Sequence, residues 1–156
     1  MKARLIKRFE DEIVQLDREL TQELPKEIQR ARELGDLREN AEYHAALERQ
    51  SFVKARMGQL RTRLTELGMI NMANVPKDRA GLGSSLTVLD LDQDVEITWE
   101  LVVPEVADLD RGLISIASPI GRGLVGKCPG DEVTIDIPAG RRRFEVLELR
   151  TMHDKE

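Results

Sequence analysis

Cysteine, aromatic side chains and long apolar runs are all scarce in this sequence. Cys128 is the only cysteine, which excludes an internal disulfide and a cysteine metal cluster and favours a reducing compartment. Aromatic residues make up 3% of the chain and charged residues 34%, a mix that suits long solvated helices and a modest second core. No apolar stretch is long enough to span a membrane, and charged residues follow Met1 directly. We therefore expect a cytoplasmic protein with no membrane partner.

An excess of basic charge is also missing. The formal net charge is -5 at pH 7, whereas binding to phosphates generally needs a local excess of lysine and arginine. This balance argues against broad adsorption to nucleic acid or to an anionic membrane. It leaves open a protein partner that itself acts on nucleic acid.

The first third of the chain has the periodicity of an amphipathic helix. Its apolar residues recur at steps of three and four, at Leu5, Phe9, Ile13, Leu16, Leu20, Leu24, Ile28 and Ala31. Pro25 interrupts this stripe and removes one backbone hydrogen bond, but the stripe resumes after it, which predicts one bent helix. Gly35 follows the last apolar residue and is expected to end the helix.

A second helical segment has a heptad seam in which Gln50 is the one polar member. The seam runs through Ala46, Gln50, Val53, Met57, Leu60, Leu64 and Leu67. The short connection between the two segments predicts that they fold back as an antiparallel coiled-coil hairpin. Each arm of about 30 residues would be roughly 45 Å long at about 1.5 Å per residue, so the hairpin would carry its tip far from any globular body.

Helical periodicity ends in a segment rich in proline, glycine and serine, which places a domain boundary near Val75. We predict a coiled-coil domain over 1–74 and a second domain over 75–156. The second domain alternates apolar and polar residues in short runs separated by turn residues, and Ser118-Pro119 is typical of a short helix start. The predicted class is α+β, with a helical hairpin followed by a small, mostly antiparallel sheet.

The segment 35–44, Gly-Asp-Leu-Arg-Glu-Asn-Ala-Glu-Tyr-His, lies at the tip of the predicted hairpin. In one interpretation it is a capping box, with Asp36 at the N-cap and Glu39 reaching back to it. In the other, Asp36, Glu39 and Glu42 lie along one edge of the first helical turns and bind Mg²⁺. Two carboxylates alone would hold the ion weakly, so a second molecule would have to supply further ligands. The two interpretations are compatible.

Other catalytic patterns are absent from the sequence. His44 has no second histidine at metal-binding spacing, and His153 lies in the predicted C-terminal tail, so a zinc site is not expected. His44 is expected to form a hydrogen bond or to pack. Tyr43 either supports the tip or stacks on a nucleic-acid base.

A further motif spans residues 114–127, Ile-Ser-Ile-Ala-Ser-Pro-Ile-Gly-Arg-Gly-Leu-Val-Gly-Lys. This motif and the tip segment extended to Ala46 both resemble the Gre family of bacterial transcript-cleavage factors. The resemblance implies an N-terminal coiled coil and a C-terminal FKBP-like domain. It also implies that the coiled coil enters the secondary channel of RNA polymerase and stimulates cleavage of the extruded RNA 3′ end in backtracked complexes, which rescues arrested polymerase.

By this resemblance, Asp36 and Glu39 are the catalytic residues and help hold an Mg²⁺ that belongs to the polymerase active site. The chain would bind no cofactor stably and would not be an enzyme by itself. Tyr43, Arg38 and Arg49 would support the tip or the RNA. Family members often carry arginine where this chain has Leu47, which bears on RNA engagement.

The resemblance also places Ser118, Pro119 and Ile120 at the surface that docks on the polymerase, although their spacing alone favours a turn in the core.

Three other functions are compatible with parts of the sequence. A Gre-like protein could occupy the same channel and inhibit without stimulating cleavage. An FKBP-like prolyl isomerase would need an aromatic-lined pocket, for which only Trp99 and Phe144 are present after the boundary. A coiled-coil adaptor would leave the tip acids with a capping role alone.

Overall fold

The computed structural model describes residues 2–70 and 72–155. The chain forms two compact units, Met1–Ile70 and Asn71–Glu156. Within the described residues, none of the helices combines the length and the apolar character needed to cross a bilayer.

The first unit is a helical hairpin, as predicted. Its first arm comprises α1 (Lys2–Arg18), a π-helical turn (Glu19–Glu23) and α2 (Leu24–Glu33), and its second arm is α3 (Ala41–Met69). The two apolar stripes face each other and bury Leu5, Phe9, Leu16, Leu24, Ile28, Ala31, Ala46, Val53, Met57, Leu60 and Leu67. The steps of three and four therefore mark the packed faces of both arms.

The first arm remains helical through Pro25, with a local change of winding just before it. Leu24 N–H donates to the carbonyl of Glu19, five residues back, and the flanking backbone stays in the right-handed helical region. A π-helical turn of this kind is a common way to absorb an interruption in the usual ladder of hydrogen bonds. The prediction of one helical arm rather than two separate helices is confirmed.

Within the described residues, the second unit contains a five-stranded sheet and one short α-helix. The strands are β1 (Ser85–Asp90), β2 (Val95–Val102), β3 (Leu113–Ser115), β4 (Glu132–Ile137) and β5 (Gly140–Arg150), and α4 spans Pro119–Leu124. The strand order is β3-β2-β1-β5-β4, and among the strand pairs of the described residues only β2–β3 is parallel. The predicted α+β class, with a helical hairpin followed by a mostly antiparallel sheet, is confirmed.

The core of this sheet is built around two aromatic side chains. Trp99 and Phe144 pack edge to face, with ring centroids 5.3 Å apart and an interplanar angle of 73°. Leu86, Val88 and Val146 are buried in the same cluster. Both aromatic residues that follow the domain boundary are therefore part of the core.

His153, near the C-terminus, forms a long-range hydrogen bond within the second unit. His153 lies in a 3-10 turn (Met152–Lys155), is half-buried, and has Nε2 2.8 Å from the carbonyl oxygen of Val75. The interpretation of His153 as part of a tail was therefore wrong. A hydrogen bond between positions so distant in the chain could not be recognised from local spacing.

Candidate functional site at the hairpin tip

Residues 34–40 form the loop that joins the two arms. α2 ends at Glu33, and the N–H of Leu34 donates to the carbonyl of Ala31 at 3.1 Å. Gly35 then adopts φ +125°, a conformation that side-chain-bearing residues rarely adopt. The predicted helix end at Gly35 is confirmed.

The second arm begins at Asn40 rather than at Asp36. Asn40 has extended backbone geometry (φ -82°, ψ 98°), and its Oδ1 accepts a hydrogen bond from Tyr43 N–H at 3.0 Å. The capping-box interpretation, with Asp36 as N-cap and Glu39 reaching back, was therefore wrong. The chain stays in a turn over residues 37–39 and α3 begins only after Asn40, so only Glu42 of the three acids lies in the first turn of α3.

Asp36 and Glu39 occupy the loop itself. Asp36 Oδ1 accepts a hydrogen bond from the backbone N–H of Arg38 at 2.9 Å, the geometry of an Asx turn. Both acidic residues are exposed. Their position outside any helix leaves them accessible from solvent at the end of the hairpin.

The N-cap residue Asn40 and His44 of α3 hold this loop. His44 Nε2 lies 2.9 Å from the carbonyl oxygen of Arg38, and Asn40 Nδ2 donates to the carbonyl oxygen of Ala31. Tyr43 is half-buried, with its ring 5.9 Å from that of His44 and the guanidinium of Arg32 5.9 Å from its centroid. The expected hydrogen bond of His44 is present, and Tyr43 lies beside His44 of α3 and Arg32 of α2.

The donor set at the tip fits a hard cation only in part. Asp36, Glu39 and Glu42 line one surface groove of about 400 Å³, and carboxylate oxygens are the donors that Mg²⁺ prefers. Across residues 2–70 and 72–155, however, no three acidic, histidine or cysteine side chains are grouped so that they could hold a metal ion. The described tip residues therefore do not form a complete metal site by themselves.

The basic residues near the tip have different environments. Arg38 is exposed on the loop, whereas Arg49 lies further along α3 and forms a double hydrogen bond with Glu19 of the other arm. The guanidinium of Arg49 also lies 5.1 Å from the ring centroid of Phe52. Leu47, at the position of interest for RNA engagement, is half-buried. Arg38 is thus the more available of the two arginines for a ligand at the tip.

The segment Ser118–Ile120 combines a structural role with limited exposure. Ser118 caps α4, since its Oγ accepts from Gly121 N–H at 3.0 Å and donates to the carbonyl of Ser115 at 2.6 Å. Ile120 packs against the core, and Pro119 is exposed. A Cβ at Gly121 would collide with the carbonyl oxygen of Ser115, so close packing of α4 on β3 explains this glycine.

Asn40 is the tip residue whose role the sequence did not reveal. A signal was available, since asparagine is among the preferred N-cap residues. Asp36 and Glu39, which precede Asn40 in the chain, matched the spacing of a capping box. The helix start was therefore predicted too early in the sequence. Only the backbone conformation distinguishes the two choices.

Comparison with known proteins identifies the family. The model "Transcription elongation factor, N-terminal" matches residues 2–67, and "Transcription elongation factor, GreA/GreB, C-term" matches residues 75–151. Transcription elongation factor GreA of Desulfotalea psychrophila is 42% identical over 151 residues, covering 97% of this chain and 94% of the relative. The chain belongs to the GreA/GreB family of transcription elongation factors.

A second curated relative and a solved structure are also similar to this chain. Transcription elongation factor GreA of Helicobacter hepaticus is 46% identical over 123 residues, covering 79% of this chain and 76% of the relative. Among solved structures, the GreA factor homolog 1 (Gfh1) protein of Thermus thermophilus is 27% identical with a TM-score of 0.42, covering 93% of this chain and 94% of that one. The predicted Gre resemblance is confirmed by the family models and the curated relatives.

Proposed function

We propose that this protein enters the secondary channel of a backtracked bacterial RNA polymerase and stimulates cleavage of the extruded RNA 3′ end. The observation that carries the proposal is the exposure of Asp36 and Glu39 on the loop that closes a long helical hairpin. Membership in a family of transcription elongation factors supports RNA polymerase as the partner. The protein is then a donor of catalytic groups rather than an enzyme by itself.

The dimensions of the hairpin suit this role. α3 has 29 residues and ends near the start of α1, where Lys2 Nζ donates to the carbonyl of Ile70 at 2.7 Å. At about 1.5 Å per residue, this arm is roughly 43 Å long. The loop 34–40 lies at the opposite end of the same unit, so the two carboxylates can reach a site deep inside a partner.

The chemistry at the tip depends on shared coordination. Asp36 and Glu39 would hold an Mg²⁺ together with polymerase ligands, while Asp36 Oδ1 also accepts from Arg38 N–H. When bound, that ion supplies Lewis-acid stabilisation of the phosphodiester and activation of the attacking water. Arg38 is placed to neutralise RNA phosphates, and Tyr43 supports the tip from α3.

Docking on the polymerase would involve the second unit. Within Ser118–Ile120, the exposed ring of Pro119 is the part able to contact a partner directly, while Ser118 and Ile120 keep α4 in place. Replacement of Pro119 should therefore weaken binding without changing the cleavage rate at saturating protein. Binding affinity and the cleavage rate at saturating protein therefore distinguish the proposed docking residue from the proposed catalytic residues.

The decisive experiment uses a backtracked bacterial RNA polymerase complex with RNA labelled near its 3′ end and with Mg²⁺. Asp36→Asn keeps an oxygen that can accept from Arg38 N–H while removing the charge, and Glu39→Gln removes the other charge. Glu48→Gln, an exposed acid further along α3, is the control for the change in net charge. We expect release of short 3′ fragments with the wild-type protein and with the control, and loss of release with either tip variant.

Other outcomes would change the assignment. Unchanged RNA despite tight binding of the wild-type protein would indicate an inhibitor of the same channel. Cleavage that survives both tip substitutions would remove the catalytic role of these carboxylates. Absence of any binding to polymerase would exclude the proposal as a whole.

A further inference from the structure

Asn40 joins the two ends of the tip loop. Its Oδ1 accepts from Tyr43 N–H in the first turn of α3, and its Nδ2 donates to the carbonyl of Ala31 in the last turn of α2. The two hydrogen bonds need an acceptor and a donor on one side chain, which an amide provides and a carboxylate does not. Asn40 is therefore both the cap of α3 and a link between the arms.

His44 holds the middle of the same loop. Its Nε2 lies 2.9 Å from the carbonyl oxygen of Arg38, and a carbonyl can only accept, so Nε2 carries the proton. The N–H of Arg38 in turn donates to Asp36 Oδ1 at 2.9 Å. Hydrogen bonds thus run from the ring of His44 through residue 38 to the carboxylate of Asp36, and Glu39 lies in the chain between Arg38 and Asn40.

Apolar packing contributes little to the order of this loop. Leu34 is 67% exposed and Leu37 is 43% exposed, so these side chains do not anchor it in a core. A loop with few buried contacts depends on its hydrogen bonds for a single conformation. Catalytic groups work best when neighbouring residues hold them in place before the reaction.

We propose that Asn40 and His44 are positioning residues, which fix residues 36–39 so that Asp36 and Glu39 reach the polymerase active centre in one geometry. This inference rests on the proposed function. It assigns no contact with RNA or metal to either residue. Their effect is exerted through the backbone of the loop.

Four variants distinguish a positioning role from a general loss of helix stability. Asn40→Asp keeps the cap acceptor but loses the donor to Ala31, and His44→Phe keeps the ring but loses the donor to Arg38. His44→Gln restores an N–H donor at a similar reach. Lys54→Gly destabilises α3 at an exposed position away from the loop and is the control for helix stability.

The first measurement is the rate of RNA 3′ cleavage in the backtracked polymerase complex as a function of protein concentration. Asn40→Asp and His44→Phe should lower the rate at saturating protein roughly tenfold to a hundredfold, as expected for misplaced catalytic groups. The half-saturating concentration should stay within about twofold of wild type, since the docking surface is intact. His44→Gln should recover most of the rate, and Lys54→Gly should match wild type.

The second measurement is limited trypsin digestion of the free protein, followed by mass spectrometry of cleavage after Arg38. Asn40→Asp and His44→Phe should accelerate this cut because the loop opens more often, whereas His44→Gln and Lys54→Gly should not. This readout is independent of polymerase. It reports on the hydrogen bonds from Asn40 to the carbonyl of Ala31 and from His44 to the carbonyl of Arg38.

Three results would overturn the inference. If Asn40→Asp and His44→Phe cleave like wild type while Asp36→Asn is inactive, the proposed function stands and the positioning role is wrong. If Lys54→Gly loses as much activity, the losses reflect helix stability. If the wild-type protein itself stimulates no cleavage, the proposed function fails and the positioning role fails with it.

Discussion

Arg49 of α3 binds Glu19 of the π-helical turn through two hydrogen bonds, with Nε 2.6 Å and Nη2 2.8 Å from the carboxylate oxygens. Arg56 and Glu12 form the same double contact one heptad further along both arms, at 2.9 and 3.2 Å. The hairpin therefore has matched ion pairs along one flank of its seam. Such pairs favour one register of the antiparallel arms over its neighbours.

The Arg49 contact predicts an altered titration of its partner. The hydrogen bond from Arg49 lowers the pKa of Glu19 below its usual value, and partial burial opposes this effect. Because the folded pKa is the lower one, the pair stabilises the hairpin above the unfolded pKa, and this is lost as the pH falls through the folded value. Arg49→Gln should raise the pKa of Glu19 when its carboxylate is followed by NMR. Arg38→Gln is the control, because it removes the same charge at a position away from Glu19. An equal rise of the Glu19 pKa in Arg38→Gln would contradict the assignment.

The start of α3 predicts which tip residue matters for stability. Asn40→Ala removes the side-chain cap and should cost about 1 kcal/mol of unfolding free energy, the usual value for an N-cap. Asp36→Ala removes only a hydrogen bond within an exposed loop and should cost less. Chemical denaturation followed by far-ultraviolet circular dichroism measures both. A larger loss for Asp36→Ala would return the capping role to that residue.

Two glycines predict effects of opposite sign. Gly58 lies in the middle of α3, is exposed, and has open space where a Cβ would stand. Gly58→Ala should therefore stabilise the hairpin by about 1 kcal/mol, the difference in helix propensity. Gly121→Ala should instead destabilise the second unit, because the new methyl group would meet the carbonyl oxygen of Ser115. Thermal unfolding of both variants, with Trp99 fluorescence as the probe of the second unit, tests the contrast.

The buried carboxylate of Asp90 predicts acid sensitivity in the second unit. Arg142 Nη2 donates to Asp90 Oδ2 at 2.6 Å, and the N–H groups of Asp92 and Gln93 donate to Oδ1. The Arg142 contact is the main reason that the pKa of Asp90 lies below its usual value. Its contribution to stability is therefore present above the unfolded pKa of about 4 and is lost as the pH falls through the folded value.

Asp90→Asn tests this acid sensitivity. It keeps an acceptor for the turn but removes the charged partner of Arg142, so the variant should be less stable at neutral pH. The difference from wild type should shrink at acidic pH, as followed by Trp99 fluorescence during urea unfolding. Asp136→Asn, which alters an exposed pair with Arg141, should have little effect at either pH. A constant difference across the pH range would rule out the ion pair as its source.

The local pattern of the sequence determined most of the elements. Apolar steps of three and four define the buried face of each arm, because these positions share one side of a helix. Alternation of apolar and polar residues marked the strands, and Ser118-Pro119 marked the start of α4. Gly35 marked the end of the first arm, since a left-handed backbone conformation favours glycine.

Tertiary structure decided the contacts between distant positions. The family resemblance assigned Arg49 to support of the tip or the RNA, and only the register of the arms placed Glu19 beside it. The link from Asn40 to Ala31 and the contact of Arg142 with Asp90 likewise exist only after the chain has folded back. Local spacing determines which face a residue occupies, whereas its partner depends on the register between elements, which one segment of sequence does not contain.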